Sequence, residues 1–126
     1  MFVDTNIFVD FLRGRDDAVS FFESHQTAVK TSVIVELELI DGLKSKRDIA
    51  VLQKHLFGLF DITIIQINDE ISAKAESIFK DYRHSHGISI NDSLIAATAI
   101  SIGEPLITHN KKHFSFIRGF QSVNPY

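Results

Sequence analysis

Cysteine is absent from this chain of 126 residues. Its absence excludes disulfide bridges, zinc sites built on thiolates and a cysteine nucleophile. It also fits a reducing compartment, and we expect a cytoplasmic protein. No secretory signal is expected, because polar side chains interrupt the apolar stretch that such a signal needs. These interrupting residues are Asp4, Thr5, Asn6 and Asp10.

Long apolar runs are missing as well. The best candidate, residues 94–102, is shorter than the roughly 18 apolar residues of a membrane span and contains Thr98 and Ser101. We therefore expect no association with a membrane. Hydrophobic residues still make up 44% of the chain, enough to bury a core, and the length suits a single domain over residues 1–126.

Positive charge is in short supply, with 13 Lys and Arg residues against 16 Asp and Glu residues and a net charge of −3. This balance disfavours binding to nucleic acid, because phosphate contacts need Lys and Arg. A metal site built from carboxylates weakens that objection, since the formal charge omits the bound cation. The basic residues are partly grouped at 44–47, 80–86 and 111–112, and each group is either a solvated face or a phosphate contact.

Predicted strands and helices alternate along the chain. Strands are predicted near residues 1–4, 28–31, 62–67, 106–108 and 120–123, and helices near 6–13, 16–25, 33–43, 47–60, 69–82 and 92–102. This alternation predicts an α/β protein whose parallel sheet is covered on both faces. Active sites of such sheets collect at the carboxyl ends of the strands, which directs attention to Asp4 and to the segment after Thr108.

Four polar segments interrupt the apolar pattern, and each has a structural and a functional interpretation. The segments are 3–6, 36–38, 89–92 and 108–110. Asp4 can cap the helix that follows it, which is a common role of aspartate. Ser89 and Asp92 have the spacing of a capping box. Either aspartate can instead be a ligand for a cation.

Glu36 and Glu38 lie in a predicted helix whose other residues are almost all apolar. A helix of this kind is expected to be buried, and an unpaired carboxylate is costly there. Glu38 therefore needs a positively charged partner, which is either a metal ion or a Lys or Arg side chain.

The acidic residues are harder to explain together than one by one. Carboxylates that share an apolar setting repel one another, whereas Mg²⁺ is held through a few carboxylates while it keeps several waters. Such a site can activate water for attack on a phosphodiester. Spacing along the chain leaves open whether these acids converge.

The four segments resemble the motifs of PIN-domain nucleases, and most closely those of the VapC-like toxins of type II toxin–antitoxin pairs. The matching residues are 2–6, 31–42, 91–99 and 104–114. In the second motif the acid lies four residues before the glycine, which selects Glu38 over Glu36 relative to Gly42. One such segment is weak, but four in order at the family's spacing, across essentially the whole chain, are specific.

The resemblance implies a three-layer α/β/α fold with a central parallel sheet, RNA cleavage that depends on Mg²⁺ or Mn²⁺, homodimers, and an antitoxin encoded alongside. It implies that Asp4, Glu38 and Asp92 are catalytic metal ligands. The supporting residues around them would be Thr5, Asn6, Ser32 and His113.

The closing segment departs from the family where many members carry a further acid. Asn110 and His113 stand at the matching places, which favours one tightly held ion over two. Asn110 can still act in catalysis by orienting a water or a ligand. His109 or His113 can assist the leaving group, or they can serve surface and packing roles.

Other functions stay open. A processing or DNA-directed nuclease would use the same acids, and a catalytically weakened binding module would fit the neutral closing segment. A phosphatase would need a second aspartate where Asn6 stands. A phospho-accepting receiver domain would find a late lysine in Lys111 but lacks paired acids beside its first strand.

Overall fold

The structure, a computed structural model, describes residues 1–25 and 28–126. Within these ranges five short strands form one sheet in the order β3-β2-β1-β4-β5, and every neighbouring pair is parallel. The strands are β1 Phe2–Val3, β2 Lys30–Ser32, β3 Thr63–Ile65, β4 Leu106–Ile107 and β5 Ser122–Val123. The α/β class and the parallel sheet are therefore confirmed, and the strand predicted near 120–123 does lie at an edge.

Six α-helices flank the sheet in the described part of the chain. They are α1 Thr5–Leu12, α2 Asp16–Ser24, α3 Val33–Asp41, α4 Lys46–Leu52, α5 Asp69–His86 and α6 Ile90–Ile102. A π-helical turn, Gln53–Phe57, continues α4, and a 3₁₀ turn, Lys111–His113, follows β4. None of the helices in residues 1–25 and 28–126 combines the length and the apolar character needed to cross a bilayer.

Helix boundaries follow local capping chemistry. Five helices begin where a polar side chain accepts a hydrogen bond from a backbone N–H of the first turn, and the caps are Asp4, Ser32, Ser45, Asn68 and Ser89. Helix α5 ends at Gly87, whose φ of +69° suits glycine. The predicted end near residue 82 was wrong, because the helix continues to His86 and ends only where Gly87 can adopt a positive φ.

An aromatic cluster joins α1 and α2 to the turn that follows the π-helical segment. The Phe22 ring centroid lies 5.1 Å from that of Phe8, 5.2 Å from that of Phe11 and 5.6 Å from that of Phe60. Phe8 and Phe22 are fully buried. These rings stabilise the fold by burying large apolar surfaces in tilted and edge-on contacts, so this group of phenylalanines is mainly core.

Helix α3 is less buried than its composition suggests. Val35 and Leu39 face the core, but Leu37 is 52% exposed and both Glu36 and Glu38 are half-buried. The prediction of a helix buried all round was therefore wrong. The helix has apolar residues on the face that packs on the core and also on the opposite face. The sequence alone does not show that the second face, which carries Leu37, is open to solvent.

Candidate active site

Asp4 lies directly after β1, at the carboxyl end of the central strand, and is only 5% exposed. Its Oδ1 accepts a hydrogen bond from the backbone N–H of Thr5 at 2.7 Å. Its Oδ2 accepts from Asn6 Nδ2 at 3.2 Å and from the Thr108 hydroxyl at 2.8 Å. Asp4 does cap α1, as one interpretation predicted. A carboxylate has about four lone-pair positions, so these three bonds leave Asp4 able to bind a cation as well.

Thr108 connects the two central strands at this edge. It follows β4, which pairs with β1, and its hydroxyl accepts hydrogen bonds from Asn6 Nδ2 and from the backbone N–H of Asn110, both at 3.0 Å. Asn6 Oδ1 in turn accepts from the His109 N–H at 3.0 Å. Sequence reasoning noted this segment but did not predict Thr108 as a site residue. Its position at the end of a strand next to β1 was the available signal.

Glu38 reaches the same edge from α3. Its Oε1 accepts a hydrogen bond from the Thr5 hydroxyl at 2.7 Å, and its Oε2 accepts from Asn91 Nδ2 at 3.5 Å. Glu36 is turned elsewhere and accepts from Gln53 Nε2 at 3.4 Å. The two neighbouring glutamates therefore have different surroundings. Glu38 shares the partner Thr5 with Asp4, whereas Glu36 is bonded to Gln53.

Asp92 enters from the first turn of α6. Ser89 caps that turn by accepting from the Asp92 N–H at 3.0 Å, so the predicted cap is present. The Asp92 carboxylate lies 3.4 Å from Nδ1 of His113, whose side chain is 60% exposed. His113 is thus placed beside an acid of the site by the 3₁₀ turn.

The remaining predicted residues lie at different distances from the acids. Asn110 is exposed and lines the same cleft as Asp4 and Asp92. Ser32 is buried and caps α3 through Ile34 N at 3.0 Å; no hydrogen bond joins it to the acids within residues 1–25 and 28–126.

Although the His109 N–H donates to Asn6, the side chain of His109 lies in a separate contact. Its ring centroid lies 4.6 Å from that of Tyr126, and its Nε2 is 3.6 Å from an Asp10 oxygen. The structure therefore gives this histidine a packing role, as one of the two interpretations expected.

Electrostatic repulsion links the three acids. Burial raises the pKa of Asp4, the hydrogen bonds from Thr108 and Thr5 lower it, and the charges of Asp92 and Glu38 raise it further. Burial also raises the pKa of Asp92; His113 opposes that shift and Glu38 adds to it. Across the described residues, no Lys or Arg forms an ion pair with any of the three. The site thus concentrates negative charge that a bound cation would neutralise.

The acids line one open cleft of about 760 Å³, together with Asn110. In the part of the chain that the structure describes, no three acidic or histidine side chains stand close enough to form a ready metal-binding group. An ion bound here would therefore need ligands besides these side chains, and Mg²⁺ in proteins commonly keeps several waters.

A carboxylate-lined cleft at the carboxyl end of a five-stranded parallel sheet defines an acidic-site α/β protein. The sequence model of the PIN domain family matches residues 1–118, and the chain belongs to this family. It is 32% identical over 123 residues to Ribonuclease VapC19 of Mycobacterium tuberculosis, covering 94% of this chain and 95% of that one. It is also 32% identical over 122 residues to Ribonuclease VapC1 of Methanocaldococcus jannaschii, covering 94% and 81%.

Solved structures with a similar fold include chains of toxin–antitoxin complexes. A toxin–antitoxin complex from Klebsiella pneumoniae contains a chain that is 29% identical, with a TM-score of 0.75 and coverage of 99% of this chain and 97% of that chain. The VapBC2 structure from Rickettsia felis, bound to a promoter DNA fragment, has a TM-score of 0.79 at 24% identity, with coverage of 98% and 96%. The second comparison supports the fold alone.

Proposed function

We propose that this chain is a metal-dependent endoribonuclease and the toxin of a type II toxin–antitoxin pair. The observation that carries the proposal is the convergence of Asp4, Glu38 and Asp92 in one cleft without a Lys or Arg partner in the described residues. Relatives named as ribonucleases and a similar solved toxin–antitoxin complex support it. We also propose that the protein acts in the cytoplasm and that residues 1–126 form a single domain.

In this proposal Asp4, Glu38 and Asp92 would hold Mg²⁺ or Mn²⁺. The bound ion would supply Lewis-acid stabilisation of the phosphate and an acidic water. The chain's own residues keep the site ready: the Thr5 N–H and the Thr108 hydroxyl stabilise the Asp4 carboxylate, and the Thr5 hydroxyl orients Glu38. Such supporting contacts set the orientation and affinity of metal ligands.

We further propose that the chain forms a homodimer through the exposed apolar face of α3 and α6. Leu37 on α3 is 52% exposed and Ile90 at the start of α6 is 65% exposed. The two helices pack against each other. Exposed apolar side chains that form a contiguous patch are typical of a protein interface.

The proposed antitoxin neutralises the site by charge. An Arg or Lys side chain inserted into the cleft would pair with Asp4 or Asp92 and displace the cation, because a charged hydrogen-bonded pair can replace the ion's role. The open shape of the cleft leaves room for such a side chain.

Expression of the chain alone should arrest bacterial growth and generate new RNA 5′ ends, and co-expression of the antitoxin encoded beside it should relieve both effects. Growth curves and mapping of RNA 5′ ends measure this. The matched control is the Asp92→Asn variant at equal protein level, which should permit normal growth. Active enzyme that leaves growth unaffected would contradict the toxin assignment and favour a processing nuclease.

Changing Asn110 to Asp should tighten metal binding, because it adds a negative charge at the cleft without adding bulk. We expect calorimetric titration with Mn²⁺ to show no more than one site in the parent protein and a lower dissociation constant in the variant. Lys111→Gln at the neighbouring exposed position controls for the change in net charge alone. Two tight sites in the parent, or unchanged affinity in Asn110→Asp, would show that Asn110 does not stand at the place of a further acidic ligand.

A further inference from the structure

Two stacked aromatic rings form part of the cleft wall that the proposed mechanism does not use. His86, the last residue of α5, and Phe116, which follows the 3₁₀ turn, have ring centroids 4.3 Å apart and planes only 10° from parallel. Both rings line the cleft that contains Asp4 and Asp92. His86 is exposed and Phe116 is half-buried, so the outer ring of the stack is the one that is open to a ligand.

This stack is held in place from both sides. Tyr82 packs its ring 5.3 Å from that of Phe116, and its hydroxyl accepts a hydrogen bond from the Arg118 N–H at 3.1 Å. Arg83 Nη1 donates to the carbonyl oxygens of Gly87 and Ile88, at 3.1 and 3.0 Å, which fixes the turn after His86. The two rings come from separate segments, and Tyr82 and Arg83, which hold them, both belong to α5.

The His86 ring is also fixed in its own plane. Its Nδ1 lies 2.7 Å from the Ser85 hydroxyl, within hydrogen-bond distance. A flat ring that is held before a ligand arrives costs little further ordering when the ligand stacks on it.

Cationic side chains accompany the stack in the same cleft. Arg13 and Lys112 line the cleft and are exposed. Single-stranded nucleic acid is bound by this combination, in which aromatic rings stack on bases while Lys and Arg follow the phosphates. A base inside a duplex has no free face to offer, and RNA recognition accordingly uses unstacked bases of loops and ends.

We propose that His86 and Phe116 form a nucleobase subsite, on which an unpaired base beside the scissile phosphate stacks while Arg13 and Lys112 contact the flanking phosphates. This inference rests on the proposed function for its ligand, RNA. It sets the position of one base relative to the acidic residues.

The test measures binding of a short, end-labelled single-stranded RNA of mixed sequence by fluorescence anisotropy in EDTA, so that no cleavage is needed. Phe116→Ala and His86→Ala should each bind about tenfold more weakly, which is the order of magnitude of one base–aromatic stack. Phe116→Tyr keeps a ring and should bind like the parent. His84→Ala, at an exposed position on the same helix, is the matched control and should also bind like the parent.

A second arm separates stacking from a structural role. Removing the base at each RNA position in turn should weaken binding to the parent protein at one position, and the same removal should have no effect on Phe116→Ala. Equal losses at every position, or unchanged binding in both alanine variants, would overturn the proposal. RNA that binds with this pattern in EDTA but is never cut when Mg²⁺ is added would refute the proposed function and leave the subsite standing.

Discussion

Conversion of any one of the three acids to its amide should lower RNA cleavage by more than about a hundredfold, the largest loss typical of a residue that only orients a metal ligand. The variants are Asp4→Asn, Glu38→Gln and Asp92→Asn. Each keeps the size of the side chain and removes a negative charge from a cleft in which the acids already repel one another. Initial rates on a labelled RNA at saturating Mg²⁺ measure the effect.

Glu36→Gln is the matched control for this series. Glu36 lies two positions before Glu38 on α3 and is also half-buried, but its partner is Gln53. We expect this variant to keep most of the parental rate. A protein that needs Glu36 and tolerates Glu38→Gln would show that the register taken from Gly42 is wrong.

Stability distinguishes lost chemistry from lost folding. Burial and the charge of Glu38 raise the pKa of Asp92 despite the opposing effect of His113, so at neutral pH its ionised form is favoured in the unfolded chain relative to the folded one. Asp92→Asn removes that unfavourable charge. In EDTA the variant should therefore unfold at the same temperature as the parent or a higher one, while its cleavage is lost. Lower stability in proportion to the lost activity would indicate a folding defect.

The sequence was sufficient to predict the sheet and the helices that carry the acids. Alternating apolar strands and capped helices are local patterns, and Asp4, Glu38 and Asp92 were each placed on the correct element. Their meeting in one cleft depended on the family resemblance, because spacing along a chain does not determine which ends of which elements come together.

Contacts between distant parts of the chain were not predictable in the same way. The Thr108 hydroxyl donates to Asp4 across 104 positions of sequence, and nothing local to a threonine after a short strand predicts that bond. The stack of His86 on Phe116 has the same origin. It also required α5 to extend to His86, which depends on where Gly87 allows the helix to end.

Exposure was the other property that local patterns did not determine. Leu37 belongs to an apolar helix and was expected in the core, yet it is 52% exposed. A hydrophobic pattern does not determine which apolar side chains of a helix the rest of the chain covers, because folded proteins also expose apolar residues.

The central claim is that carboxylates in this cleft hold one divalent ion that RNA cleavage requires. The direct measurement is cleavage of a labelled RNA by the purified protein, first stripped of metal with EDTA and then supplied with Mg²⁺ or Mn²⁺ in increasing amounts. We expect no cleavage in EDTA, recovery with either ion, and no recovery in Asp92→Asn at the same concentrations. Full cleavage in EDTA by protein shown to be free of metal would contradict the claim.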